Sequence, residues 1–89
     1  MKKDGKMNNK RNCFRYKLWD QGKIVQFGIT NDPERRKEEH KDEGKRFSTF
    51  SIEGPAVTKN SAEEWEEQKL KSYRAHHYGK NPRYNKTEK

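Results

Sequence analysis

Cysteine, proline and aliphatic side chains are all scarce in this chain of 89 residues. A single cysteine, Cys13, excludes a disulfide framework and leaves no set of thiolates for a structural zinc site. Hydrophobic residues make up 26% of the chain, and no run of them approaches the roughly 20 residues that span a bilayer. Met1 to Asn12 has no apolar stretch of the kind a secretory signal requires. The expectation is a cytoplasmic protein with no membrane association. Charged residues reach 40%, a composition that by itself leans toward disorder. Aromatics at 11%, spread along the chain, offset this and allow one small domain with a thin, aromatic-rich core.

The formal charge of +8 is concentrated at the ends. Residues 1–12 carry Lys2, Lys3, Lys6, Lys10 and Arg11 against Asp4, a net +4. Residues 79–89 carry Lys80, Arg83, Lys86 and Lys89 against Glu88, a net +3, so residues 13–78 hold only the remaining +1. Basic ends on a near-neutral body suit a polyanion, with an affinity that falls steeply with salt. Lys10, Arg11, Lys80, Arg83 and Lys86 are the candidate nucleic-acid contacts. Residues 1–12 read as a basic flexible tail and 13–87 as the domain.

Cys13 to Trp19 alternates, with Phe14, Tyr16 and Leu18 on one face, which is a strand pattern. Asp20-Gln21-Gly22-Lys23 is a turn, and Ile24 to Thr30 is a second strand with Val25, Phe27 and Ile29 on one face. The two pair as a hairpin. Asp32 caps and Pro33 opens a helix that runs to about Glu43 and stops at Gly44. Glu34 to Glu43 contains no aliphatic or aromatic residue, so this helix has no hydrophobic face and something polar must dock it. Arg46 to Glu53 is a third strand, with Phe50 and Ile52 as core candidates. Ser61 and Glu64 form a capping box for a second helix reaching about His77. The order β-β-α-β-α predicts an α+β domain: a three-stranded antiparallel sheet flanked by helices.

The second helix carries an acid on its apolar side. At 100° per residue, Ala62, Leu70, Tyr73 and His77 all fall within about 40° of Glu66. A carboxylate there costs free energy unless it is paired or bound to a cation. One reading is a structural salt bridge to the basic face of the polar helix. The other is a metal ligand or general base in a cleft between helix and sheet. Arg36 and His40, four residues apart, share a face and could point into the same cleft.

The order of these residues resembles the GIY-YIG nuclease family. Phe14-Arg15-Tyr16 stands where the family's first hairpin motif lies, and Gln26-Phe27-Gly28 where its second lies. Gly28-Ile29-Thr30 is followed by Asp32-Pro33-Glu34-Arg35-Arg36 and then His40, similar to the family's glycine, loop, arginine and histidine. Ala62 to Glu66 is similar to the helix that carries its metal-binding glutamate, and Pro82-Arg83-Tyr84-Asn85-Lys86-Thr87 to its closing proline-tyrosine-asparagine motif. The resemblance covers about residues 13–87. It departs in the first motif, which keeps only Tyr16, and in the second, where Gln26 replaces the usual tyrosine.

The resemblance implies a divalent-metal-dependent DNA endonuclease of low sequence specificity, a monomer or weak dimer, like the small standalone members found in phages and mobile elements. Its setting would then be the cytoplasm, that of a host cell for a phage-encoded chain. Glu66 would hold one Mg²⁺ or Mn²⁺, and Arg36 would clamp a phosphoryl oxygen. Tyr16 would orient or deprotonate the attacking water, with His40 a second candidate base. Asn85 would position the site by hydrogen bonds, and Gln26 could donate to a phosphate. The alternative is a catalytically degenerate nucleic-acid-binding or protein-inhibitor module on the same fold.

Overall fold

The computed structural model describes residues 10–85, so Lys86 and most of the basic N-terminal tail lie outside the described residues. The elements run β1 (Phe14–Asp20), β2 (Lys23–Thr30), α1 (Pro33–Asp42), β3 (Thr49–Ile52) and α2 (Lys59–Ala75). The domain is α+β, with a three-stranded antiparallel sheet in which β1 is central between β2 and β3. Among the described residues no helix is long and apolar enough to cross a membrane.

The hairpin places Tyr16 opposite Gly28 and Leu18 opposite Gln26, while β3 brings Ile52 and Phe50 beside the same two β1 residues. Tyr16 stacks on Phe50 with ring centroids 4.6 Å apart. Tyr16, Leu18 and Val25 form the buried cluster, with Phe47, Phe50 and Tyr84 packed against it. Val25 was expected beside Phe27 and Ile29. A bulge between Leu18 and Trp19 skips Val25 in the pairing, and the extra residue joins the Tyr16 cluster instead. Phe27 lies on the other face, where Trp65 and Tyr73 of α2 meet it edge-on at 5.9 and 6.2 Å.

The third strand is shorter than the alternation predicted, Thr49–Ile52 rather than Arg46 to Glu53. Phe47 packs on the core from the preceding loop. The second helix starts earlier than the expected capping box. Thr58 is its cap, with the hydroxyl accepting from the Ser61 amide at 3.2 Å. Thr58 and Ser61 are both competent caps, and the bridge between Cys13 and Val57 fixes the chain direction at Thr58, so the first suitable hydroxyl wins. Asp32 caps α1 and Gly44, at φ +80°, turns the chain after it, both as the residue types dictate.

The outer edge of β2 is closed by the end of the domain. The Tyr84 amide donates to the Val25 carbonyl at 2.8 Å. Asn85 takes both backbone groups of Phe27, its Oδ1 accepting from the amide at 2.8 Å and its Nδ2 donating to the carbonyl at 2.9 Å. An amide side chain with one acceptor and two donors can imitate a neighbouring strand in this way.

Gly28 is required by its partner. A Cβ built there would lie 2.2 Å from Cζ of Tyr16, so any side chain must push the phenol out of place. Gly28→Ala is expected to destabilise the domain by roughly 1–3 kcal/mol, as overpacking does. Urea unfolding measures it, and an unchanged midpoint would show that the Tyr16 ring is not held where the structure places it.

Candidate functional site

α1 answers the question its composition raises. Of its ten residues only His40 is buried, at 2% exposure. The His40 Nε2 lies 2.7 Å from the Tyr16 hydroxyl, itself on a 2% exposed residue. This buried polar contact docks the helix onto the sheet. The imidazole's other nitrogen, Nδ1, is 2.9 Å from Lys45 Nζ, and Lys45 also donates to Gln26 Oε1 at 3.0 Å.

Tyr16 sits among charges from several elements. Burial pushes its pKa up to about 12; the Arg36 guanidinium pulls it down, and the Glu66, Glu43 and Glu39 carboxylates push it up. Arg36 on α1 and Glu66 on α2 are thus both close enough for their charge to be felt at the phenol. No hydrogen bond joins either of them to it.

Glu66 is half-buried, and burial, helped by the Glu63 carboxylate, raises its pKa. No ion pair or hydrogen bond reaches its carboxylate from the described residues, so the salt bridge to the polar helix does not form. Arg36 is directed to its own helix, with Nε 3.6 Å from Glu39 Oε1, too long for a hydrogen bond. That Nε is buried without a partner. The structure therefore holds one under-solvated carboxylate and one unsatisfied guanidinium nitrogen around the same phenol. Their chemistry is that of a site for a hard cation and an anionic oxygen. No group of three or more His, Cys, Asp or Glu among the described residues could hold a metal by itself, so a cation here would keep much of its water.

Beside this cluster a cleft of about 550 Å³ is lined by Glu43, Lys45, Arg83, Tyr84 and Asn85. Arg83 is exposed but already pairs with Asp20 at 3.3 Å, so it is a less available phosphate contact than its place in the basic tail suggested. Lys10, Arg11 and Lys80 are exposed. Gln26, expected to face a phosphate, has its side-chain oxygen engaged by Lys45.

Tyr16 and His40 are in direct contact, Arg36 and Glu66 lie within electrostatic reach of Tyr16, and Asn85 is bonded instead to the β2 backbone at Phe27. Sequence reasoning missed Lys45 and Phe50 as parts of the site. Phe50 was legible only as a core aromatic, and Lys45 carries no local signal beyond following the helix stop. No family model, no curated protein and no solved structure matches the chain.

The docking contact makes stability depend on pH in two windows. Burial, aided by Lys45 and Arg36 against the opposing pull of Glu43, holds the His40 pKa below its ordinary 6.5. His40 therefore contributes stability that is complete above 6.5 and lost as pH falls through the lower folded value. Tyr16 is displaced the other way, so its share is complete below pH 10 and lost as pH rises through about 12. That share is roughly 2–3 kcal/mol, at 1.36 kcal/mol per pH unit. Thermal melts of the wild type and Tyr16→Phe across both windows test this: the variant should lose most of the alkaline decline. Parallel curves above pH 10 would reject the buried phenol.

Proposed function

We propose that this chain is a metal-dependent endonuclease of the GIY-YIG type, hydrolysing DNA phosphodiester bonds with little sequence preference. The observation that carries the reading is that the half-buried Glu66 carboxylate and the Arg36 guanidinium both act electrostatically on one buried phenol, Tyr16.

Glu66 would hold one Mg²⁺ or Mn²⁺, which when bound supplies positive charge to the phosphoryl and leaving oxygens. Arg36 turns its unsatisfied Nε toward a non-bridging oxygen as negative charge builds there. Tyr16 orients the attacking water at its hydroxyl and, in its ionised form, accepts the water's proton. With a pKa of about 12 the ionised fraction at pH 7 is on the order of 10⁻⁵, so the rate should climb with pH. His40 does not meet the water itself, because both ring nitrogens are already engaged; it acts through Tyr16. The exposed cations of the two ends hold the phosphate backbone, which gives affinity without sequence information.

Relaxation of supercoiled plasmid tests the reading. Cutting is expected with Mg²⁺ or Mn²⁺ and not with EDTA. Glu66→Ala and Tyr16→Phe should each lower the rate by about 10²–10⁴-fold, and Arg36→Ala by about 10²–10³-fold. All three should leave salt-sensitive DNA binding nearly intact. Full cutting by Glu66→Ala would remove the metal assignment.

Two observations favour the second reading, a binding module without catalysis: the phenol is strongly held in its neutral form, and Gln26 stands where the family has a second tyrosine. That reading expects salt-dependent DNA binding with no cleavage under either divalent ion. The log of the binding constant should fall linearly with log salt, at a slope near 0.9 per phosphate neutralised, and a flat salt response would dismiss DNA as the partner of either form.

A further inference from the structure

Lys45 is a half-buried lysine with three acceptors around its ammonium: His40 Nδ1 at 2.9 Å, Gln26 Oε1 at 3.0 Å and Glu43 Oε1 at 3.3 Å. An ammonium carries three N–H donors and no acceptor, so every proton on Nζ has a partner. A donor aimed at Nδ1 requires the lone pair there. The single ring proton of a neutral imidazole then resides on Nε2, which faces the Tyr16 oxygen at 2.7 Å. His40 is the neutral form at ordinary pH, because burial and the charges of Lys45 and Arg36 outweigh the opposing pull of Glu43.

Two consequences follow for the phenol. Its oxygen accepts from the imidazole, so its own proton is directed away from His40. When that proton leaves, the phenolate finds an N–H already in place, with a lysine cation one ring behind it. The other charges around the pair are Arg36 and Glu39 on α1, Glu43 at its end and Glu66 on α2, and the three acids oppose ionisation. Arg36 counters them directly, and Lys45 acts from behind the ring through its contact with His40 Nδ1. Its anchor, Gln26, is the very position where the second motif departs from the family pattern.

We propose that Lys45 is a positioning residue: held by Gln26 and Glu43, it fixes His40 as an Nε2–H donor to the Tyr16 oxygen and so favours the ionised phenol. The effect on hydrolysis rests on the endonuclease reading; the effect on the imidazole does not.

The test has two arms on the full chain. Long-range ¹H–¹⁵N correlation of ¹⁵N-labelled protein near neutral pH reports the His40 tautomer. The wild type should show the proton on Nε2. Lys45→Met should move a large share of it to Nδ1, where Glu43 Oε1 lies 3.7 Å away to receive it. A wild-type proton on Nδ1, or a tautomer unchanged in Lys45→Met, overturns the proposal. The second arm is the pH profile of plasmid relaxation with Mg²⁺. The alkaline rise should shift upward by roughly one pH unit or more in Lys45→Met and return most of the way in Lys45→Arg, with DNA affinity at fixed salt little changed. An unshifted rise overturns the proposal. A wild type that never cuts ends the endonuclease reading and leaves the tautomer as the deciding measurement. Should Lys45→Met fail to fold, Gln26→Leu frees the lysine from its anchor and is read the same way.

Discussion

One hydrogen bond, between the Tyr16 hydroxyl and His40 Nε2, holds α1 against the sheet. α1 carries no apolar side chain to bury, so the usual reason for a helix to lie against a sheet is missing. The contact replaces it with a directional polar anchor. Its price is a phenol and an imidazole removed from water, each held in its neutral form by that burial. Much else is arranged around it. Gly28 leaves the space in which the ring lies, Phe50 stacks on the ring, and Lys45 completes the imidazole. A buried polar network of this kind stabilises only when its members are satisfied, and both nitrogens of the His40 ring are engaged, one by Tyr16 and one by Lys45.

The neighbouring groups are different. Among the described residues the Arg36 Nε is buried with no hydrogen-bond partner, and the half-buried Glu66 carboxylate is paired with no cation. Groups of opposite charge could relieve each other by pairing, yet Arg36 is turned to Glu39 instead. A fold selected for stability alone would close that gap, because an unsatisfied buried polar group costs about 1–3 kcal/mol. Leaving both open is sensible where an external cation and an external anion complete them, and a metal ion with a phosphate is one such pair. The anchor holds α1 on the sheet, and the unsatisfied Arg36 Nε lies on that same helix.

The order of elements was legible because each signal was local and strong. The alternation of Phe14, Tyr16 and Leu18, the Asp32-Pro33 start and the Gly44 stop all fix backbone behaviour through residues a few positions apart. The failures are non-local. Nothing near Ser61 shows that Thr58 caps first, since the decision comes from the bridge of Val57 to Cys13. Nothing near Val25 shows the bulge, which depends on how β1 and β2 pair. Within the site, Glu66 stood out because a carboxylate sat on an apolar stripe, and His40 because it shares a face with Arg36 on a helix with no apolar side. Lys45 did not, because a lysine after a helix is ordinary until the fold brings Gln26 and His40 to it.

The balance between a scarce core and a polar anchor also explains why the end of the chain matters. Only a few side chains are fully buried, and β2, which carries both Gly28 and Gln26, lies at an edge of the sheet. An unpaired edge frays and is free to pair with another chain. Asn85 supplies Phe27 with both missing hydrogen bonds, and the Tyr84 amide donates one to the Val25 carbonyl. The strand is thereby fixed from outside at the residues flanking Gln26, the anchor of Lys45. By holding the β2 backbone at Phe27, Asn85 supports the strand that carries Gln26, and through Gln26 the lysine, the imidazole and finally the phenol. The same physical logic makes the closing asparagine and the first-strand tyrosine members of a single connected structure, though 69 residues separate them in sequence.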